Sequence, residues 1–384
     1  MSLKRKYIEE IDLVRGLAIL GVLFVHATSF PMVELAEHSR AYPLYLILNK
    51  FGKLGTPTFI FLSSLVLFYT YYHRTLNRER LQHFYSQRLS FIIVPYLLWS
   101  VAFYMLRLTG GFENMDGVQN FDWSRFLGHD LLWGKAHAHL YFVIISIQFY
   151  IIFPLLLLLL QKQKGLVKWI FLIGFLGQWG FFFYNNLAEV KVTYKGSIAL
   201  SYLSYYTLGA FVGVYYESVT AWLKKKAKLM VPIVTLAWLA SGAFHAYIHY
   251  PAYKYGDWFN SRWYEFGWNM YTLISVLMLY YVALWFIHKA PRLWRSVLAK
   301  LGLVSFGIYL IHPMVLYFWR KYVEASEIPI VFHLQILGAW SAALFVSWLI
   351  VYLVQLTPLS WIIFGQAKGK KKTVANQTPE APKN

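Results

Sequence analysis

The chain has 384 residues, 58% of them hydrophobic and 14% charged, with a mean hydropathy of +0.46 and a formal net charge of +19. Soluble proteins average nearer a quarter charged, so this composition indicates an integral membrane protein. No cysteine is present, which excludes disulfides, cysteine nucleophiles and thiolate metal sites.

Ten stretches are apolar and long enough, about 17 to 25 residues, to cross a bilayer. They are 11–31, 44–72, 89–107, 139–160, 168–184, 196–216, 230–248, 267–287, 301–319 and 333–356. The expected architecture is an all-α integral membrane protein, a bundle of about ten transmembrane helices. The first residues are polar, and the first apolar run carries Arg15 with no small-residue cleavage signature behind it, so that helix is expected to be retained. The second stretch is too long for a simple span and holds Lys50, Gly52, Lys53, Gly55 and Pro57. It is expected to be tilted, broken or partly interfacial, and a break survives only where protein or a cavity surrounds it.

Lys and Arg are shared unequally between alternate connections: 23 lie on the side that includes both termini and 10 on the other. The remaining three, Arg15, Lys50 and Lys53, lie inside the spans. By the positive-inside rule both termini are expected in the cytoplasm, in a multi-pass protein of the cell membrane. The positive charge then needs no nucleic acid to explain it. Residues 1–364 read as one transmembrane domain. Residues 365–384, which include Lys368, Lys370, Lys371 and Lys372, read as a basic cytoplasmic tail of disordered composition, attracted to anionic headgroups.

The first helix carries Asp12, Arg15 and His26. At about 100° per residue, the eleven residues from Arg15 to His26 leave an offset of only about 20° and a rise of about 16 Å. The two side chains therefore share one stripe, with Asp12 a turn below. An ionisable group at membrane depth is a functional-site hypothesis by default. His26 suits a general base, because imidazole titrates near neutral pH; the bland alternative is a histidine that hydrogen-bonds a neighbouring helix. Arg15 suits a phosphate or carboxylate clamp, since its planar fork matches such oxyanions; the alternative is snorkelling to headgroups. Asp12 either orients Arg15 or marks the helix N-terminus.

The run Asp12-Leu-Val-Arg15-Gly with His26 resembles the first-helix signature of the membrane acyltransferase-3 family. Further segments agree in order. Gly55-Thr-Pro57-Thr-Phe-Ile-Phe-Leu-Ser63-Ser64 is similar to the family's second-span motif, with Ser64 where glycine is usual. Arg88 with Pro95-Tyr96, His139-Leu-Tyr141-Phe142, and Ser305-Phe-Gly-Ile-Tyr309-Leu-Ile-His312-Pro313 resemble the motifs of later helices. The resemblance implies transfer of an acyl group, acetyl in many members, from cytoplasmic acyl-CoA to a hydroxyl of a glycan or other acceptor. It assigns essential roles to Arg15 and His26. It also makes Arg88 a candidate second donor contact, with a positive-inside anchor as the alternative.

His139, Ser305, Tyr309 and His312 are candidate acceptor or oxyanion contacts. The alternatives are a solvent-facing interfacial histidine at 139 and, at 312, repair of the backbone groups freed by Pro313. No bound cofactor is expected, acyl-CoA being a substrate. His129, His137 and His139 form no short helical pair with a supporting carboxylate, so no metal site is expected. The aromatic stretch 250–265 reads chiefly as an interfacial belt, with sugar stacking as the alternative. The segment 107–139 reads as a lid or re-entrant piece. Partners are the lipid bilayer, the acyl donor and the acceptor, and relay through a separate extracytoplasmic protein stays open. The competing function is a transporter or flippase of a glycan or lipid-linked sugar, with Arg15 and His26 as its substrate and proton site.

Overall fold

In the computed structural model of the chain, residues 7–35 and 39–365 are described. The α-helices are α1 Glu9–Thr28, α2 Pro31–Glu34, α3 Tyr42–Gly52, α4 Gly55–Tyr71 and α5 Arg78–Leu108. They continue with α6 Trp123–Arg125, α7 Tyr141–Lys162, α8 Ile170–Leu187, α9 Leu203–Val214 and α10 Tyr216–Lys225. The last five are α11 Ala227–Tyr255, α12 Ser261–His288, α13 Arg292–Tyr322, α14 Pro329–Gln355 and α15 Ser360–Phe364.

Among the described residues, nine helical stretches are long and apolar enough to cross a membrane. The tenth expected span is the shorter apolar stretch Ala199–Val214. The protein is thus an all-α, multi-pass membrane bundle. Its outer face agrees: Leu155, Leu236 and Leu337 each expose more than half their surface, as lipid-facing side chains do. The second span is broken, as its composition suggested, at Lys53 and Leu54 between α3 and α4.

Four helix boundaries differ from expectation, three of them through a cap outweighing the apolar pattern. The third span begins at Arg78 rather than 89, because the Asn77 side chain accepts a hydrogen bond from the Arg80 amide at 2.9 Å and caps the polar first turns. Arg88 therefore lies nearly three turns inside α5 instead of opening it. The stretch 250–265 is mostly helix, since α11 runs on to Tyr255, where Gly256 takes a left-handed φ of 74°. Asn260 then caps α12. The fourth span starts at Tyr141, so His139 precedes the helix.

α1 is the helix around which the others are arranged, packing against α3, α4, α12, α13 and α14. Its closest partner is α13. A Cβ on Gly302 would lie 1.9 Å from the Asp12 carbonyl oxygen, and one on Gly16 would lie 2.4 Å from the Leu298 carbonyl oxygen. The two backbones touch at this level, which sets the register between the helices. Arg295 bonds Glu9 (Nε to Oε1, 2.5 Å) and Lys224 pairs with Glu10 at 3.2 Å, holding the start of α1 to α13 and α10.

The connection 109–140 is built from short helical turns, including α6. Asp130, 1% exposed, bonds Arg107 at 2.8 Å and His129 at 2.7 Å, and His129 bonds the Tyr194 hydroxyl at 2.6 Å. Burial alone would push the Asp130 carboxyl up, but these two hydrogen bonds and the Arg107 charge hold it below the usual carboxylate value. The basic tail expected from 365 onward lies outside the described residues, except for Gly365.

Candidate active site

Two cavities lie along one stripe of α13. The first, about 530 Å³, is bounded by Arg15, Ser63, Arg88, Tyr150, Ser305 and Tyr309, a size typical of small-molecule sites. His83 and Gln87 of α5 also face it. The second, about 410 Å³, is bounded by His26, His137, Pro313, Tyr317, Arg320 and Lys321. On α13 the first cavity takes residues 302, 303, 305, 306 and 309, and the second takes 313, 316, 317, 320 and 321. This three-to-four spacing makes one continuous helical face.

Arg15 and His26 hold the two ends of the stripe on α1. Asp12, 2% exposed, pairs with Arg15 at 3.1 Å and also accepts from the Tyr7 hydroxyl. Asp12 is thus both a first-turn acid and the residue that fixes the Arg15 guanidinium. Arg88 reaches the same cavity from α5, so two cations distant in sequence face one volume. A polyanion entering that cavity meets both.

A partition of rings separates the cavities. His26 and His312 have centroids 5.0 Å apart, His312 and His139 5.7 Å, and His139 and His137 4.9 Å. Tyr309 lies 5.1 Å from His139 and 6.0 Å from His312, centroid to centroid, and its hydroxyl donates to the His139 carbonyl oxygen. His312 Nδ1 bonds the Ile308 carbonyl at 3.1 Å, so it does engage the backbone near Pro313, while its ring faces His26. His139 is only 2% exposed. The solvent-facing alternative for His139 is therefore overturned: the turn before α7 tucks it against α13. Nε2 of His139 and of His312 are buried and have no hydrogen-bond partner among the described residues.

All the candidate residues read from the sequence lie at one or other cavity or in the partition between them. The sequence reading passed over His83, Gln87, Tyr150, Tyr317 and Arg320, and considered His137 only as a metal ligand. The signal for Tyr317 and Arg320 was present, since they continue the stripe of Tyr309 and Pro313 at helical spacing. His83 and Tyr150 gave none, because only the packing of α5 and α7 brings them to the cavity.

The four imidazoles follow one another in a row, and among the described residues no three His, Asp or Glu side chains are placed to hold a metal ion. His137 Nδ1 and His139 Nδ1 are 2.9 Å apart. Burial, aided by Arg320 and Arg107, pushes His137 down to about 4, so it is neutral at physiological pH.

No solved structure matches the chain. Among curated proteins, the chain is 26% identical over 273 residues to a protein of Staphylococcus aureus (strain MSSA476) named "Probable poly-beta-1,6-N-acetyl-D-glucosamine export protein", covering 68% of this chain and 69% of that one. A Staphylococcus epidermidis protein of the same name is 25% identical over 280 residues, covering 71% and 70%. The sequence pattern of the acyltransferase-3 family, described as an acyltransferase domain, matches residues 8–354. With that match across nearly all of its helical bundle, the chain belongs to the acyltransferase-3 family and is a membrane acyltransferase.

Proposed function

We propose that this protein moves an acyl group, acetyl in the simplest case, from acyl-CoA to a hydroxyl of a surface or exported glycan. The observation that carries the reading is the single stripe of α1 and α13 with two cations at one cavity and imidazoles at the other. Arg15 and Arg88 hold phosphates of the donor, and the pantetheine arm extends toward Tyr309. His26 takes the proton of the acceptor hydroxyl, whose oxygen attacks the thioester carbonyl. The C–O bond forms, the C–S bond breaks, and the proton returns to the CoA thiolate. Ser305 or Tyr309 donates to the oxyanion; for Tyr309 this requires release of its bond to the His139 carbonyl.

The Lys and Arg bias supports a cytoplasmic Arg15 end, with both termini on that side, in a cell-membrane protein. We read residues 1–364 as one catalytic domain. The relatives' name supports a glycan built of N-acetylglucosamine as the acceptor class. That name also favours a second reading, passage of the glycan itself along the stripe. Purified protein in nanodiscs, given labelled acetyl-CoA and a β-1,6-linked N-acetylglucosamine oligosaccharide, should release CoA and yield an acetyl ester. Glycan movement in proteoliposomes without any acyl donor, and no ester, would favour transport instead.

A further inference from the structure

Among the described residues, the lining of the cavity beside His26 holds two cations, Arg320 and Lys321, and no carboxylate. Arg320 bonds a carbonyl rather than a carboxylate: its Nη2 donates to the His26 carbonyl oxygen at 2.6 Å, and its guanidinium lies 5.3 Å from the Phe30 ring centroid. The last carbonyls of a helix lack intrahelical partners, so Arg320 caps the end of α1 and holds His26 in place. Arg320 also lines the cavity. Lys321 donates to the Gly110 carbonyl at 2.6 Å and pairs with Glu113 at 2.7 Å. Glu113 is thereby engaged. Asp130, the nearby acid of the same connection, is bound to Arg107. Tyr317 lines the same cavity, with the Lys321 ammonium 5.9 Å from its ring centroid.

We propose that this cavity is the acceptor subsite and that it selects a sugar ring without positive charge, with Arg320 as the specificity-determining residue. The inference rests on the acyl-transfer reading for the word acceptor, but its charge selection is a property of the cavity alone. A protonated amino sugar would set its ammonium against Arg320, which has no carboxylate partner among the described residues, and like charges juxtaposed at an interface are costly. A neutral N-acylated ring, or one bearing a carboxylate, meets no such opposition and can accept hydrogen bonds from the guanidinium.

The test is binding of two probes to the full-length protein in nanodiscs at pH 6, where amino-sugar amines are protonated. The probes are a β-1,6-linked N-acetylglucosamine oligosaccharide and its fully de-N-acetylated counterpart. The N-acetylated probe should bind at least about tenfold more tightly. Arg320→Gln should narrow that ratio while leaving the affinity for acetyl-CoA unchanged. Raising the salt should narrow it in the wild type too, because screening weakens the repulsion; this arm needs no variant. Equal binding of the two probes by the wild type, or a ratio unmoved by both salt and Arg320→Gln, overturns the proposal. Acyl turnover is followed in parallel. Selective binding without turnover sinks the proposed acetyl transfer to this acceptor and leaves the charge selection standing, whereas turnover with unselective binding does the reverse.

Discussion

His26 is half-buried at the edge of the second cavity and meets His312 ring to ring at 5.0 Å. As general base it should contribute roughly 10²- to 10⁴-fold, so His26→Ala should lower acyl turnover by about that factor while membrane insertion is retained. Wild-type turnover in that variant would remove His26 from the chemistry. Arg15 makes a different case, because its guanidinium pairs through Nη1 with Asp12 at 3.1 Å. Replacing it by Arg15→Lys keeps the charge and loses the fork. The expected result is a raised KM for acyl-CoA with the acceptor KM unchanged, measured by varying each substrate in turn; equal donor KM in the two proteins would reduce Arg15 to a membrane anchor.

At the scale of elements, the contact between α1 and α13 sets the spacing between the two ends of the site. A side chain at Gly302 meets the Asp12 carbonyl at 1.9 Å, and backbone cannot move aside as a flexible side chain can. Gly302→Val should therefore destabilise by about 1–3 kcal/mol and lower turnover by displacing Arg15 relative to Ser305. Gly180 in α8 is the control: a Cβ there meets nothing within 4 Å, so Gly180→Ala should be neutral or stabilising by up to about 1 kcal/mol. Thermal unfolding in detergent reads both. The connection 109–140 is held by Asp130, whose folded carboxyl is lower than its unfolded value. Its contribution is thus full above about pH 4 and lost as pH falls through the folded value. Hydrogen exchange in residues 122–135 should rise with acid in the wild type, and in Asp130→Asn it should be raised at neutral pH and flatter with pH. Parallel acid profiles in the two proteins would assign the loop's stability to other contacts.

For the molecule as a whole, the direction of the stripe matters as much as its residues, since the proposed reaction brings donor and acceptor from opposite sides of a membrane. The native chain has no cysteine, so single thiols report topology cleanly. Gln82 and Asp257 are both exposed, the first in the opening turns of α5 and the second between α11 and α12. An impermeant thiol reagent on intact cells should label Asp257→Cys and spare Gln82→Cys. The opposite pattern would place Arg15 outside and invert the donor and acceptor ends.

Much of this protein was determined by sequence alone, for a physical reason. In hydrocarbon every backbone amide must be bonded within its own segment, so apolar length predicts helices directly, and the ten stretches found in the sequence recur in the fold. The helical period likewise placed Arg15 and His26 on one stripe without any tertiary information. What only the tertiary structure decided is which distant residues share a volume. Arg88 joins Arg15 because Asn77 starts α5 early and α5 then packs beside the first cavity. His139 is buried against Tyr309 because the turn before α7 lies on α13. Arg320 reaches the end of α1 because Gly16 and Gly302 let the two backbones touch in one register. These are consequences of packing between helices that are far apart in the chain, and no local pattern in hydropathy or charge encodes them.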